Sequence, residues 1–340
     1  MDNRLFKQCV GIDISKATFS ACVLKYYVST REESSEVENF ANSKSGFNQF
    51  LKWSRKYLSK EIPAIFLMEA TGIYYEQLAY HLYRLNLQVV VILPNKAKYY
   101  AKSLNVKTKS DSMDALVLAI MGCKQKLQTW TPPKTIYREL RALTRFNAYL
   151  KKNKTALSNN LEALNNSQEP MLSVVKSYNK LIQDIDDAIS KNVKEIESLV
   201  EQDKELYLKI KKVETIKGVS FMTVAIILAE TQGFELVNSR KQLASYAGFD
   251  VVERQSGSSV NGKSHISKKG NSRIRAALYF PAMTATRFNV PLKEDYERII
   301  AKHPDHKMIG MTAIQRKLLL LIYTLWKKDE EFTTIAPFSN

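Results

Sequence analysis

The sequence predicts an α/β domain followed by a longer, mainly helical region. Three observations predict it. Strand-like and helix-like pieces alternate through residues 8–123, and apolar residues recur at heptad spacing through 136–213. From 214 onward, apolar helical stretches surround one basic segment rich in Gly and Ser. The expected domains are 1–130, 131–213 and 214–340.

In the first block, "CVGIDIS" and "TFSACVLKY" read as short strands joined by a turn, so the sheet is mixed and begins antiparallel. Residues 46–58 have helical spacing, 64–70 ("AIFLMEA") read as a buried strand, 74–86 as a helix and 88–94 as another strand. In the second block Leu143, Leu150, Leu157 and Leu164 repeat every seven residues. After a break near Pro170 a second series runs from Ile182 to Val213, with Asn192 and Asp203 as polar interruptions. Two long helices fit this pattern, paired within one chain or between chains as a coiled coil. The third block opens with "ETIKGVSFMTVAIILAETQGF", a Gly-Val turn between apolar helices like half of a helix-hairpin-helix module. A basic loop then feeds a helix, and "MTAIQRKLLLLIYTLWKKDEEF" closes the fold as a helix.

Charge narrows the function. A formal net charge of +17 opposes compaction by self-repulsion and points to a polyanionic partner, nucleic acid before any membrane surface. The most apolar stretch, "LLLLIYTLW" (318–326), is about half the length of a spanning helix. No secretory signal is legible, so a cytoplasmic protein with no membrane partner is expected. Cys9, Cys22 and Cys123 follow no metal spacing and read as buried, reduced thiols.

Four acids stand out. Asp111 and Asp114, at i and i+3, share one helical face. Taken alone they read as a solvated first turn, where the helix dipole favours acids. Asp13 lies inside the apolar strand "VGIDIS" and Glu69 ends the apolar strand "AIFLMEA", places where a carboxylate is costly unless used. Such all-oxygen sets hold Mg²⁺ (or Mn²⁺), and paired ions position the attacking and leaving oxygens of a phosphodiester. Lys96, Lys98, Lys102, Lys107 and Lys109, with no acid among them, would grip the phosphate backbone on its way in. A second basic run, "RQSGSSVNGKSHISKKGNSRIR", offers Arg254, Lys263, Lys268, Lys269, Arg273 and Arg275 around a group of serines. Blandly read, it is a flexible polar loop.

The order Asp13, Glu69, Asp111, Asp114, set in "GIDISK", "MEATGIYYEQLAYHL" and "KTKSDSMDALVLA", resembles the DEDD-type transposases of the IS one-ten family of insertion sequences. The C-terminal block, from "IKGVSFMTVAIILAETQGF" to "ISKKGNSRIRAALYFPAM", is similar to that family's transposase domain, so nearly the whole chain is covered. The resemblance implies an RNase H-like, RuvC-like N-terminal domain that binds Mg²⁺ through the four acids. It also implies that the serine of "QSG", Ser256, attacks a DNA phosphate to form a covalent phosphoserine link; Ser258 and Ser259 stand close by. It further implies donor and target DNA as substrates, a structured non-coding bridge RNA as guide, and a homodimer or homotetramer. One protomer's carboxylates would then face another's serine.

Three other readings compete. A metal-dependent junction nuclease would hydrolyse DNA with water and use the serine loop only as a grip. An actin-like sugar kinase is suggested by "GIDISKATFSACVL", but no second phosphate hairpin is legible. A non-catalytic RNA-binding protein would explain the charge but not the acids in strands.

Overall fold

Alternation along the first strand decides how the N-terminal part is layered. The computed structural model describes residues 3–105, 110–256 and 260–333, apart from the side chains of 253–264. The chain divides into two units, Met1–Pro132 and Pro133–Asn340. In the first, β1 (Leu5–Ile14) turns at Ser15, whose hydroxyl donates to the Thr18 carbonyl (2.7 Å), and returns as β2 (Thr18–Tyr27). Two short strands follow, β3 (Glu32–Ser34) and β4 (Glu38–Ala41). The sequence reading passes over both, because "EES" and "ENFA" carry no apolar run. Ser43 caps α1 (Lys44–Tyr57), and the chain continues as β5 (Ala64–Glu69), α2 (Glu76–Arg84) and β6 (Gln88–Ile92). Two helices finish the unit, α3 (Pro94–Ser103) and α4 (Asp111–Lys124).

The strand order is β3-β2-β1-β5-β6, with β4 also on β2. β1 and β2 are antiparallel, whereas β1, β5 and β6 are parallel. This is the mixed, RNase H-like sheet that the resemblance implied. Because side chains alternate along a strand, Val10, Ile12, Ile14, Phe66 and Met68 bury one face under α1 and α2. Cys9, Leu67 and Val90 bury the other under α3 and α4. All three cysteines are free and buried, and burial pushes the Cys123 thiol up to about 12.

How α4 lies on that second face matters most. A Cβ on Gly11 would run into the Ala115 carbonyl and the Ala119 amide, so helix and strand backbones touch there. A Cβ on Gly122 would run into the Cys9 sulfur. Gly122 at Cys9 and Ala115–Ala119 at Gly11 mean that α4 runs back along β1, and its first turn arrives beyond Gly11, toward Asp13.

The second unit begins with a helical hairpin, α5 (Thr135–Asn165) and α6 (Leu172–Glu201). The two pair antiparallel within the chain. Asn147 Nδ2 donates to Asn192 Oδ1 at 2.9 Å, and Lys154 reaches Asp186 at 2.6 Å. The expected second long helix breaks at Asp203. Its carboxylate accepts from the Leu206 amide (3.0 Å) and so caps a new helix, α7 (Lys204–Glu214). Then come α8 (Phe221–Thr231), α9 (Arg240–Ala247), β7 (Val251–Ser256), β8 (Val260–Ile266), α10 (Ser272–Ala277), α11 (Tyr279–Phe288), α12 (Val290–Lys302) and α13 (Lys307–Lys328). Segments 131–213 and 214–333 share one core, in which Leu140, Ile196, Val200 and Ile210 meet Val224, Phe234, Leu318 and Trp326.

Two sequence expectations change here. The serine segment is an antiparallel hairpin rather than a loop, paired from Val251↔Ile266 to Ser256↔Val260, which gives its backbone polar groups partners. The apolar stretch at 318–326 belongs to a longer helix. At 22 residues, α13 is by length and composition apolar enough to cross a membrane. Instead, Ile314, Leu318, Leu319 and Ile322 are wholly buried in the core.

Gly11→Ala is expected to cost about 3 kcal/mol, the upper end for overpacking, because the obstacle is backbone. Urea unfolding checks this, and an unchanged midpoint would mean that α4 does not rest on β1 as described.

Candidate active site

Three elements bring the four acids together. β1 and β5 run parallel with Ile12 opposite Met68, so Asp13 and Glu69 follow one residue on, side by side and on the α4 face. Glu69 accepts a hydrogen bond from Thr71 Oγ1 (3.1 Å). The Ser110 hydroxyl accepts from the Met113 amide (3.3 Å) and starts α4, which places Asp111 and Asp114 in its first turn. Asp13, Glu69 and Asp114 are half-buried and Asp111 is exposed. Asn42, which the sequence reading did not single out, ties the rim. Its Nδ2 donates to the carbonyls of Ser15 (3.0 Å) and Tyr74 (3.1 Å), joining the β1–β2 turn to the loop after Glu69. No local pattern marks it, since its partners are 27 and 32 residues away.

The electrostatics register this convergence. The Asp13 carboxyl is pushed up from 3.8 to about 6, first by burial and then by the charges of Asp114, Asp111 and Glu69. Among the described residues no ion pair neutralises any of the four. Nor does any group of three or more His, Cys, Asp or Glu side chains, among those residues, stand close enough to enclose an ion. The four acids therefore share one field without a closed coordination shell. Mutual repulsion holds such groups apart until a cation screens it. The donor set, all carboxylate oxygen, suits a hard divalent ion.

The basic residues fall in two places. Lys96, Lys98 and Lys102 are exposed on α3, which packs beside α4, while Lys107 and Lys109 lie outside the described residues. In the second unit Ser256 occupies the last pair of the hairpin, opposite Val260. Its side chain, with those of Arg254 and Lys263, is outside the description, and Ser258 and Ser259 are outside it entirely. Lys268 and Lys269 are exposed. The Arg273 side chain is 52% exposed with its Nε 3.9 Å from Glu230, and Arg275 donates to the Ala247 carbonyl at 2.6 Å.

Two family models match the chain. One, for DEDD transposases of IS110 type, is described as transposase and covers residues 10–166; the other, described as transposase of the IS116/IS110/IS902 family, covers 210–297. The chain belongs to the IS110 family of transposases. This is the IS one-ten family that the four acids suggested, and the transposase is thus an enzyme of DNA recombination. It is 29% identical over 327 residues to pilin gene-inverting proteins of Moraxella lacunata and Moraxella bovis, covering 96% of this chain and 98% of theirs. A structure of T. thermophilus RuvC with a Holliday junction substrate is 15% identical and covers 36% of the transposase and 99% of RuvC. Its TM-score of 0.27 is too low to bear on function.

Without divalent metal, the shifted Asp13 makes the transposase less stable at neutral pH. Its folded-state pKa lies above the ordinary aspartate value, so this group's contribution is intact below about pH 4 and is lost as pH rises through about 6. Asp13→Asn is accordingly expected to stabilise the metal-free protein at pH 8 by about 1–2 kcal/mol, discounted for partial exposure. The gain should vanish near pH 4. Urea titrations in EDTA at the two pH values read this, and a loss of stability at pH 8 would mean that the acids do not repel one another.

Proposed function

We propose that this transposase cuts and rejoins donor and target DNA through a phosphoserine intermediate, with Mg²⁺ (or Mn²⁺) held by Asp13, Glu69, Asp111 and Asp114. The observation that supports the metal reading is the convergence of the acids: Asp13 and Glu69 stand side by side on parallel strands, and the first turn of α4, with Asp111 and Asp114, arrives beyond Gly11 toward Asp13. When bound, such a cation would polarise a phosphate oxygen and stabilise charge as it develops there.

The chain's own residues have these tasks. The Ser256 hydroxyl loses its proton as its oxygen forms a bond to phosphorus, and the bridging P–O bond of the DNA breaks. The displaced deoxyribose oxygen leaves with a proton. Attack by a hydroxyl of the partner strand then reverses these steps, joining the new strands and restoring serine, so no ATP is needed. Lys96, Lys98, Lys102, Lys107 and Lys109, with Arg254, Lys263, Lys268, Lys269 and Arg273, neutralise the backbone. Arg275 is assigned to the same group, with one donor already committed to Ala247. The placement of Ser256 at the end of a hairpin supports its presentation to a strand.

The reading extends to partners and place. A charge of +17 without a recognisable base-reading motif supports guidance by a bridge RNA, with specificity delegated to base pairing. Toward the far end of the paired helices α5 and α6, Leu157, Leu161, Leu164, Ile182 and Ile185 are only half-buried, which supports assembly as a homodimer or homotetramer, in the cytoplasm. The name of the Moraxella relatives, pilin gene-inverting protein, agrees with rejoining rather than cutting alone.

The test incubates the protein with Mg²⁺, the non-coding RNA transcribed beside its gene, and end-labelled donor and target DNA. Denaturing gels should show a protein–DNA adduct that disappears in Ser256→Ala and in Asp13→Ala. Cleavage that persists in Ser256→Ala with no adduct would instead identify a hydrolytic junction nuclease.

A further inference from the structure

The helices that follow the β7–β8 hairpin carry a surface that phosphate contacts leave unexplained. α10 and α11 form one nearly continuous helix. The Leu278 amide donates to the Ile274 carbonyl (3.2 Å) and the Ala282 amide to the Leu278 carbonyl (3.0 Å), so the hydrogen-bond ladder crosses the junction. Ile274, Leu278, Ala282 and Ala285 bury one side of it in the core. On the exposed side Arg273, Phe280 and Arg287 recur every seven residues, two turns apart and therefore in line. Phe280 is 71% exposed, and Phe288, at the end of the same face, is 66% exposed. The Tyr279 ring meets the Phe280 ring at 5.4 Å and 79°, an edge contact that braces it.

Charge narrows what covers this face. No Asp or Glu occurs from residue 254 to 293, while Lys and Arg recur throughout that span. The acid that Arg273 approaches, Glu230, is 2% exposed and already taken by Arg145 (2.8 Å) and Asn271 (2.7 Å). Arg273, 3.9 Å from it and 52% exposed, therefore keeps donors for another anion. Arg287 forms no ion pair among the described residues. A Cβ on Gly218 would stand 2.8 Å from the Pro281 carbonyl and 3.1 Å from Thr284 Cβ. The turn between α7 and α8 thus lies against α11 and brings the exposed Lys217 to the edge of the same face. Cations around exposed rings attract a polyanion and repel a second basic chain. A protein-binding patch is instead depleted of charge at its centre.

Phosphates call for cations but not for phenyl rings. A Phe ring offers a flat apolar face, and its match on a nucleic acid is the face of a base. In a duplex those faces are stacked on one another, and a side chain reaches them only by unstacking a step. In a single strand they are free. We infer that the Arg273–Phe280–Arg287 face of α10 and α11 binds unpaired nucleotides. The rings of Phe280 and Phe288 stack on bases, while Arg273, Arg287 and Lys217 hold the flanking phosphates. Two helical turns span about 11 Å, so one ring and the cations on either side of it serve one short stretch of strand. The inference needs neither the four acids nor Ser256, and so stands apart from the phosphoserine reading. RNA loops and displaced DNA strands share this chemistry.

The experiment measures, by fluorescence anisotropy, the affinity of the full-length protein for three labelled probes of the same length and sequence: single-stranded RNA, single-stranded DNA and duplex DNA. Phe280→Ala combined with Phe288→Ala is expected to weaken binding of a single-stranded probe by about tenfold or more, and of the duplex by less than about twofold. The single-stranded probe that loses more says whether RNA or DNA occupies the face. A second measurement uses Phe280→Trp, which keeps a ring at a largely exposed position. The emission it adds to that of Trp53, Trp130 and Trp326 should be quenched by single strands and not by duplex. Equal losses on single and double strands would reduce the face to a charge effect and overturn the inference. Unchanged affinities, or emission that single strands leave unquenched, overturn it as well. If the double alanine variant does not fold, the quenching in Phe280→Trp decides alone. A change in sedimentation with every affinity unchanged would assign the face to a second copy of the chain, and that too overturns the inference.

Discussion

How closely α4 can lie on β1 sets the geometry of the N-terminal unit. Gly11 and Gly122 remove the two side chains that would hold helix and strand apart, and Ala115 and Ala119 complete the contact. Ordinary helix-on-sheet packing leaves about 10 Å between backbones, by analogy with stacked sheets. Here backbone meets backbone at Gly11. A close helix brings its first turn, with Asp111 and Asp114, within the field of Asp13 at the end of the strand. Glu69 reaches the same place because β5 is parallel to β1 and in register with it. Parallel strands end together, so side chains at their carboxyl ends collect along one edge of the sheet.

The two units treat a buried acid in contrasting ways, and the contrast assigns them different work. Asp13 is half-buried with like charge around it, so its carboxyl rises. Glu230 is surrounded by donors and its carboxyl falls, so the site is complete. An incomplete site invites a ligand, whereas a complete one holds structure in place. The acids at the end of β1 stand open, whereas Glu230 and Asn271 tie α8 to the segment that leaves β8.

Some of this was legible in the chain and some was not. The alternation in "VGIDIS" and "AIFLMEA" exposed Asp13 and Glu69, because a carboxylate inside an apolar strand is costly and so conspicuous. The same rule applied to "VAIILAET" would have found Glu230, an acid at the end of an apolar helix, and that signal was passed over. Asp203 read as an interruption in a heptad series, yet it caps α7, since capping depends on a backbone turn that spacing alone does not reveal. Arg275 read as one more phosphate contact in an acid-free run, but its guanidinium meets the Ala247 carbonyl, 28 residues distant.

The sequence by itself determined the main strands and helices of the first unit, drew attention to the four acids and set the surplus of positive charge. β3, β4 and the β7–β8 hairpin, which carry no apolar alternation, were not legible in it. Periodicity, burial cost and charge are local or additive properties, and they survive without knowledge of the fold. Only the tertiary structure decided which side chains meet. The Asp13 carboxyl is pushed up to about 6 by burial and then by three other acids that converge on it from up to 101 residues away. Glu230 is held below the usual range by groups that include Arg145, 85 residues away. Such encounters depend on strand register and on how near two backbones can approach, and both are fixed only when the chain packs against itself.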